Sequence, residues 1–315
     1  MAIQISGGVQ LSGPVTLTQS SGGGGGGSTV NQGTNYGYHA SGQYPAGLPT
    51  DIQKYSYTSD GNATSVADVA IGIIWGTGSS STTSGYVVGG FDGNTYSDIQ
   101  KFTFSTDSDA TSVADLAAAA RAAAGQSSST NGYSSGGITP SSNNNEIQKF
   151  PFSADNNATD VADLTASRYT TAGQSSSTHG YTSGNGNVIE KFPFSADNNG
   201  TDVGDLVNTP SFCAGQNSST HGYVSGGDAP QDANDTIQKF SFSSDSNATD
   251  VGNLTAGAQR LCGTSSTTYG YRSGGYTPAY TNVIDKFSFS SDGDATDVGD
   301  LTFATEAGTN TGQQY

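Results

Sequence analysis

Side chains alternate between two faces in the stretch Ile147-Gln-Lys-Phe-Pro-Phe152. The same Ile-x-Lys-aromatic-x-aromatic pattern begins at Ile52, Ile99, Ile189, Ile237 and Ile284. A period of two predicts a β-strand. Successive starts lie 47, 48, 42, 48 and 47 residues apart, so the chain is an array of one supersecondary unit.

Each unit reads as four short segments. The first is rich in small residues, as in Ala122-Ala-Ala-Gly-Gln-Ser-Ser-Ser129, Thr171-Ala-Gly-Gln-Ser-Ser-Ser177 and Ala214-Gly-Gln-Asn-Ser-Ser219. The second carries Gly-Tyr-x-x-Gly, with the Gly-Tyr pair at residues 37, 85, 132, 180, 222 and 270. The third is the alternating stretch. The fourth, Thr-Asp-Val-x-Asp-Leu or a close variant, follows a turn of the type Ser-Asp-x-Asn-Ala. Four strands separated by Gly, Asn and Asp turns, with no 3.6-residue period, predict an all-β repeat.

A β-propeller and a β-solenoid both accommodate all-β repeats. Solenoid coils have much shorter periods, whereas four-stranded blades run at about 40 to 50 residues. Side-chain size points the same way. Strands near an axis crowd together and suit Ala, Gly and Ser, while diverging outer strands leave space between blades for Phe150, Phe152, Phe192 and Phe194. The Gly-Gln-Ser-Ser segment is therefore expected innermost.

The second, third and fourth segments occur six times each. No good copy of the small-residue segment precedes the first set, and a shortened one, Phe303-Ala-Thr-Glu-Ala-Gly-Thr-Asn-Thr311, follows the last. A six-bladed ring is expected, with the C-terminal strand completing the first blade and removing two exposed edges. Seven blades would require Ser28 to Gly33 to form a strand of its own.

Residues 1–20 are a β-prone lead, with Ile3, Ile5, Val9, Leu11, Val15 and Leu17 on odd positions. It is too short to fold alone, and residues 21–28 are a glycine-rich linker. This reads as an attachment arm on a tether, against the plainer reading of a disordered tail. The propeller is assigned to residues 29–315.

The order Gly-Tyr-x-x-Gly-Gly, aromatic-rich strand, turn and small-residue segment resembles the kelch-type propeller repeat. Two departures stand out. Val-x-Asp-Leu replaces the usual Trp of the last strand, and the Arg of the following segment appears only as Arg121, Arg168 and Arg260, at drifting offsets. The wording Lys-Phe-Pro-Phe-Ser…Ala-Thr-Asp-Val-x-Asp-Leu…Ala-Gly-Gln-Ser-Ser-Ser-Thr-His-Gly-Tyr-Thr-Ser-Gly is similar to repeats of virion structural and tail-fibre-like proteins of marine bacteriophages, cyanophages among them. That resemblance covers about residues 36 to 311. It implies a part of a virus particle and carries over no catalytic residues.

Charge narrows the partners. Asp and Glu number 27 against 10 Lys and Arg, for a net charge of −17, which disfavours nucleic acid. Met1-Ala-Ile-Gln-Ile-Ser-Gly-Gly has no basic region followed by an apolar stretch, so no secretory signal is expected. No apolar run reaches the length of a membrane span. Cys213 and Cys262 are too few for a disulfide framework and should face opposite ways on alternating strands.

Candidate chemistry is sparse. Lys54, Lys101, Lys149, Lys191, Lys239 and Lys286 share one repeat position. They form either an anion-binding ring or, the preferred reading, structural pairs with strand carboxylates such as Asp115 or Asp163 in the same or the adjacent blade. The turn Asp155-Asn-Asn-Ala-Thr-Asp160 and its relatives Asp107-Ser-Asp109 and Asp292-Gly-Asp294 cluster oxygens. None has the full spacing of a calcium loop, and no metal or other cofactor is expected. His39, His179 and His221 are not expected to converge on a metal or a catalytic arrangement. The Asn-x-Thr triplets at Asn62, Asn157, Asn199 and Asn247 read as turns, and the serines 127–129 and 175–177 as channel lining.

The loops between second and third strands differ in length and sequence, and such insertions map to one face of a repeat protein. Tyr44, Phe91, Tyr96, Tyr276 and Tyr280 put amphipathic rings there, suited to sugar or protein contacts. The fourth unit has only Asn185-Gly-Asn187, which predicts a notch in the rim. The expected function is a non-enzymatic virion component, made in the host cytoplasm and present in several copies. Its arm would dock on other virion proteins while the loops adhere to a host glycan or receptor. A decoration or filament subunit without a receptor, and a propeller enzyme acting on polysaccharide, are the alternatives.

Overall fold

The computed structural model describes residues 35–228 and 233–312. Its 24 strands form six four-stranded antiparallel sheets. In the third blade the order is Ala124–Ser127 innermost, then Asn131–Ser135, Glu146–Pro151 and Thr159–Asp163 outermost. The first blade takes its innermost strand, Thr309–Gly312, from the far end of the chain, with Ala40 opposite Thr309 and Gly37 opposite Gly312. That strand lies between Cys262–Ser265 of the sixth blade and Thr77–Ser80 of the second. Among the described residues the ring thus closes with six blades. Ser28 to Gly33, the linker, and the arm residues Ile3 to Leu17 lie outside the described residues.

The conserved wording of the unit follows from how tightly the ring is packed. A Cβ on Gly125 would lie 2.2 Å from the Gly78 carbonyl oxygen, and one on Gly173 would lie 2.1 Å from that of Gly125. Only glycine lets innermost strands approach this closely. The glycine of Gly-Tyr has a different reason, since a Cβ on Gly132 would lie 2.3 Å from Cζ of Phe150, its partner in the ladder.

The third strand is buried on both faces, because a blade stands on each side of it. Ile147 is fully buried beside Tyr133, Leu164 and Phe192, toward the next blade. Gln148 points to the preceding blade, where its Oε1 accepts the Ala118 N–H at 2.9 Å, and Phe150 packs there with Tyr86 and Leu116. The alternation in the sequence is therefore forward and backward around the ring rather than core and solvent.

Each interface repeats the same contacts. Tyr133 meets Phe192 and Phe194 of the following blade with centroids 5.6 and 4.9 Å apart. At ring closure Tyr271 meets Tyr55 and Tyr57 instead. Aromatic pairs contribute roughly 0.5–1.5 kcal/mol beyond burial. Outside the rings, each lysine reaches the turn of the next blade: Lys54 to Asp107, Lys101 to Asp155, Lys149 to Asp197, Lys191 to Asp245, Lys239 to Asp292 and Lys286 to Asp60, at 2.5–2.8 Å. The pairing expected from sequence holds, but its partners differ. Turn carboxylates of the following blade accept the lysines, because Lys149 projects forward while Asp163 stands on the outer strand of its own sheet.

The Asn-x-Thr turns fasten the same seams. Asn157 Oδ1 accepts the Asp115 N–H at 3.1 Å, and the Ala158 N–H donates to the Asp115 carbonyl at 2.7 Å. Asn62, Asn199 and Asn247 do likewise, and Asp109 and Asp294 stand in at the other two seams. The Asp-Asn turns are thus committed to backbone and lysine.

The buried glutamine of the third strand has two charged substitutes. Glu190 and Asp285, both fully buried, occupy its position and still accept the Thr165 and Thr255 N–H groups. Arg168 ion-pairs with Glu190, and Arg272 with Asp285.

Candidate functional site: the loop face and the channel mouth

One face of the ring carries both the variable loops and the connections that lead into the innermost strands. Short antiparallel bridges join them: Gln43 to Glu306, Ile74 to Phe91, Arg121 to Ile138, Ser211 to Asp228 and Gln259 to Tyr276. The fourth blade turns within Gly184 to Asn187, where the Asn185 N–H donates to the Pro210 carbonyl. The notch expected there is a loop too short for the paired bridge its neighbours make.

Immediately inside these bridges lies a feature that shares no side-chain chemistry from unit to unit. Trp75, Ala122, Thr170, Phe212, Arg260 and Ala307 occupy equivalent positions, and all have left-handed backbone with φ between 54° and 57°. Such a conformation is uncommon outside glycine. Here it is held by a closed cycle of six backbone hydrogen bonds. The N–H of Ala122 donates to Trp75, Thr170 to Ala122, Phe212 to Thr170, Arg260 to Phe212, Ala307 to Arg260 and Trp75 to Ala307, at 2.7–2.9 Å. The six residues line the mouth of the central channel. Backbone alone builds the ring, so their side chains are free to differ.

The channel below is narrow and polar. Its inner end is lined by Ser79, Ser80, Ser127, Ser175, Asn217 and Ser265 among others. Of the serine tracts expected to line it, only Ser127 and Ser175 do. Ser128 and Ser176 fold back to accept the Asn131 and His179 N–H groups, and Ser129 and Ser177 are exposed, because the strand ends there and the chain turns.

The five rim aromatics occupy three consecutive blades, the sixth, first and second. Tyr44 and Phe91 share a cleft of about 410 Å³ with Pro45, Leu48, Ile74 and Asp92. Tyr44 is 40% exposed and meets Phe303 edge-on. Tyr276 and Tyr280 pack edge to face within their own loop, with centroids 5.8 Å apart. Tyr96 packs against the core between the first and second blades. Its hydroxyl donates to Asp92 at 2.7 Å, which lowers the Asp92 carboxyl and raises the Tyr96 phenol. Tyr96, half-buried as Phe91 is, ties its own loop together, and Tyr44 is the exposed ring of the five.

Three arginines flank the same face, and their drifting offsets have structural meaning. Arg168 serves Glu190. Arg260 lies at the mouth, with Nη1 2.8 Å from Glu306 and its guanidinium 5.4 Å from the Phe212 ring centroid. Arg121 reaches from the third blade over the second, 4.0 Å from the Phe91 centroid and 5.7 Å from that of Trp75. Trp75 and Phe91 are themselves stacked at 5.9 Å. Trp75 and Phe212 are site residues that patterning did not single out. The signal was available in a variable residue directly before an otherwise constant small-residue segment.

The remaining candidates are dispersed. His39 is buried in the first blade with Nδ1 3.1 Å from Ser273 Oγ. His179 and His221 occupy equivalent outer positions, each 2.8 Å from the preceding threonine hydroxyl, and burial lowers both imidazoles. Cys213 and Cys262 are free and buried, one position apart in register as the spacing predicted. Burial pushes both thiols up to about 12. Among the described residues no cluster of three His, Cys, Asp or Glu could hold a metal ion. The chain matches no protein-family model and no curated protein sequence.

Proposed function

We propose that the protein is a non-enzymatic component of a bacteriophage particle, docked through its N-terminal arm and adhering to a host-surface glycan or receptor through the loop face. The kelch-like order of segments and the likeness of the repeat wording to phage structural proteins motivate the setting. The observation that carries the adhesive role is the division of labour around the ring. At the seams, tyrosines, lysines and a turn asparagine or aspartate repeat the same bonds six times and serve the scaffold. On the loop face the bridging backbone repeats while the side chains it presents, Tyr44, Trp75, Phe91, Arg121, Phe212 and Arg260, do not. A surface of aromatic rings and guanidinium groups on a rigid frame suits recognition of sugars or protein loops.

The test is binding of the full-length protein to an array of cell-surface glycans and to intact candidate host cells, alongside its location on particles by immunogold imaging. Saturable binding lost on substitution of Tyr44 and Phe91 supports the reading. Decoration of particles without any host or glycan binding would replace it with a purely structural subunit. Cleavage of a polysaccharide would overturn the non-enzymatic part.

A further inference from the structure

The chain has ten basic side chains, and nine of them are spent. Six lysines meet turn carboxylates, Arg168 meets Glu190, Arg260 meets Glu306 and Arg272 meets Asp285. Among the described residues Arg121 meets no carboxylate. In a protein of net charge −17 this single uncompensated guanidinium is conspicuous.

The scaffold does not require it. Arg121 joins the loop of the third blade through its backbone alone, donating to and accepting from Ile138 at 3.1 and 2.8 Å. The residues at the same place in neighbouring units are Ile74, Ser211, Gln259 and Glu306, so any side chain satisfies the fold there. Instead the guanidinium is held over Phe91 and beside Trp75, within cation–π distance of both. The Nε of Arg121 and the Nε1 of Trp75 are buried without a partner among the described residues. Phe91 continues into the cleft it shares with Tyr44.

From this placement we infer an acidic-sugar subsite: Arg121 receives the carboxylate or sulfate of a glycan residue whose C–H face lies against Trp75 and Phe91, with the adjoining sugar in the Tyr44 cleft. The inference rests on the adhesive reading above and names its ligand class. A guanidinium offers a planar fork of donors matched to carboxylate and sulfate, and charge-assisted bonds are the strong ones. Stacking on Phe91 fixes the fork before the ligand arrives, which lowers the ordering cost of binding. Nucleic acid offers anions too, but its phosphate chain would face the repulsion of the acidic surface.

Trp75 is the only tryptophan in the chain, so its fluorescence reports on the site directly. The full-length protein is titrated with oligogalacturonate, with a sulfated galactan oligosaccharide, and with neutral galactose oligomers of equal length. Saturable change of Trp75 emission with at least one acidic series, weakened by salt and at least tenfold weaker for the neutral series, is the expected result. Arg121→Met keeps the apolar stem and should lose at least tenfold in acidic-glycan affinity, with an unchanged melting temperature. Lys239→Met, which removes a cation on the outer wall, should bind as the wild type does. Equal binding of neutral and acidic series, or Arg121→Met binding unimpaired, overturns the subsite and leaves adhesion standing. Failure to bind any glycan or cell overturns both.

Discussion

The fully buried ion pair of the sixth blade allows a prediction with internal controls. Arg272 and Asp285 are 1% and 0% exposed, with Nε 2.9 Å from Oδ2, and they face each other in the ladder. The same two positions hold Val224 and Gln238 in the fifth blade and Val87 and Gln100 in the second. The chain itself thus supplies a neutral solution to the same packing problem. Arg272→Val leaves Asp285 with only the Thr255 N–H and hydroxyl, at 3.2 and 2.6 Å. Stranding one member of a buried pair costs about 3–5 kcal/mol. With unfolding entropy of about 2.1 cal/mol/K per residue over a ring of roughly 280 residues, that is a drop of about 5–8 °C in Tm. Asp285→Gln alone strands the guanidinium and should cost a similar amount. The double substitution recreates the fifth blade's pair and should lie within about 1 kcal/mol of the wild type, or above it. Urea unfolding with calorimetry is the assay, since guanidinium salts screen the charge. Single substitutions costing under about 1 kcal/mol, or costs that simply add in the double variant, would refute the reasoning.

Three further outcomes are expected. Gly173→Ala sets a methyl 2.1 Å from the Gly125 carbonyl oxygen, against backbone that cannot move aside; a loss of about 1–3 kcal/mol by urea unfolding is expected. Burial, with a smaller contribution from Lys191 and Lys239 respectively, lowers the His179 and His221 imidazoles, so the folded state favours their neutral form. Stability should be complete above the unfolded histidine value of about 6.5 and fall as pH drops through the window below it, and His179→Asn with His221→Asn should flatten that slope. Finally, a disulfide-exchange reagent should label neither Cys213 nor Cys262 within an hour in native buffer and both in urea, because burial raises both thiols to about 12.

Much of this architecture was readable because it repeats. Lys149, Phe150 and Tyr133 recur at fixed spacing, and a residue the ring needs six times is visible in one sequence. The direction of each contact was less accessible. Both faces of the third strand are buried, so alternation between Ile147 and Gln148 carries no sign of which neighbour each meets, and the lysines reach turn carboxylates of the next blade rather than strand carboxylates such as Asp115 and Asp163. The charged substitutions were legible only in pairs. Where the glutamine becomes Glu190 or Asp285, an arginine appears within reach, at Arg168 or Arg272. The channel mouth was the hardest part to foresee. Its six residues share a backbone conformation and no side-chain chemistry, and left-handed backbone at Trp75 or Thr170 leaves no mark on composition. The Tyr96 hydroxyl bond to Asp92 has no sequence signature either, because aromatic character alone does not show which ring also holds its own loop together.

The way the ring closes bears on how the protein assembles. Every blade presents unlike surfaces to its two neighbours, with Tyr and Lys on one side and the aromatic pair with its turn Asp on the other. Surfaces of this head-to-tail kind give a closed ring when the rotation comes full circle and an open chain when it does not. Here the circle is completed by Thr309–Gly312 pairing with Tyr36–Ala40, a contact between opposite ends of the polypeptide. Until that strand arrives, Tyr36–Ala40 offers an unpaired edge that the last strand of another copy fits equally well. Folding at high protein concentration should therefore divert molecules into strand-exchanged dimers and longer chains, while dilution favours the self-closed monomer.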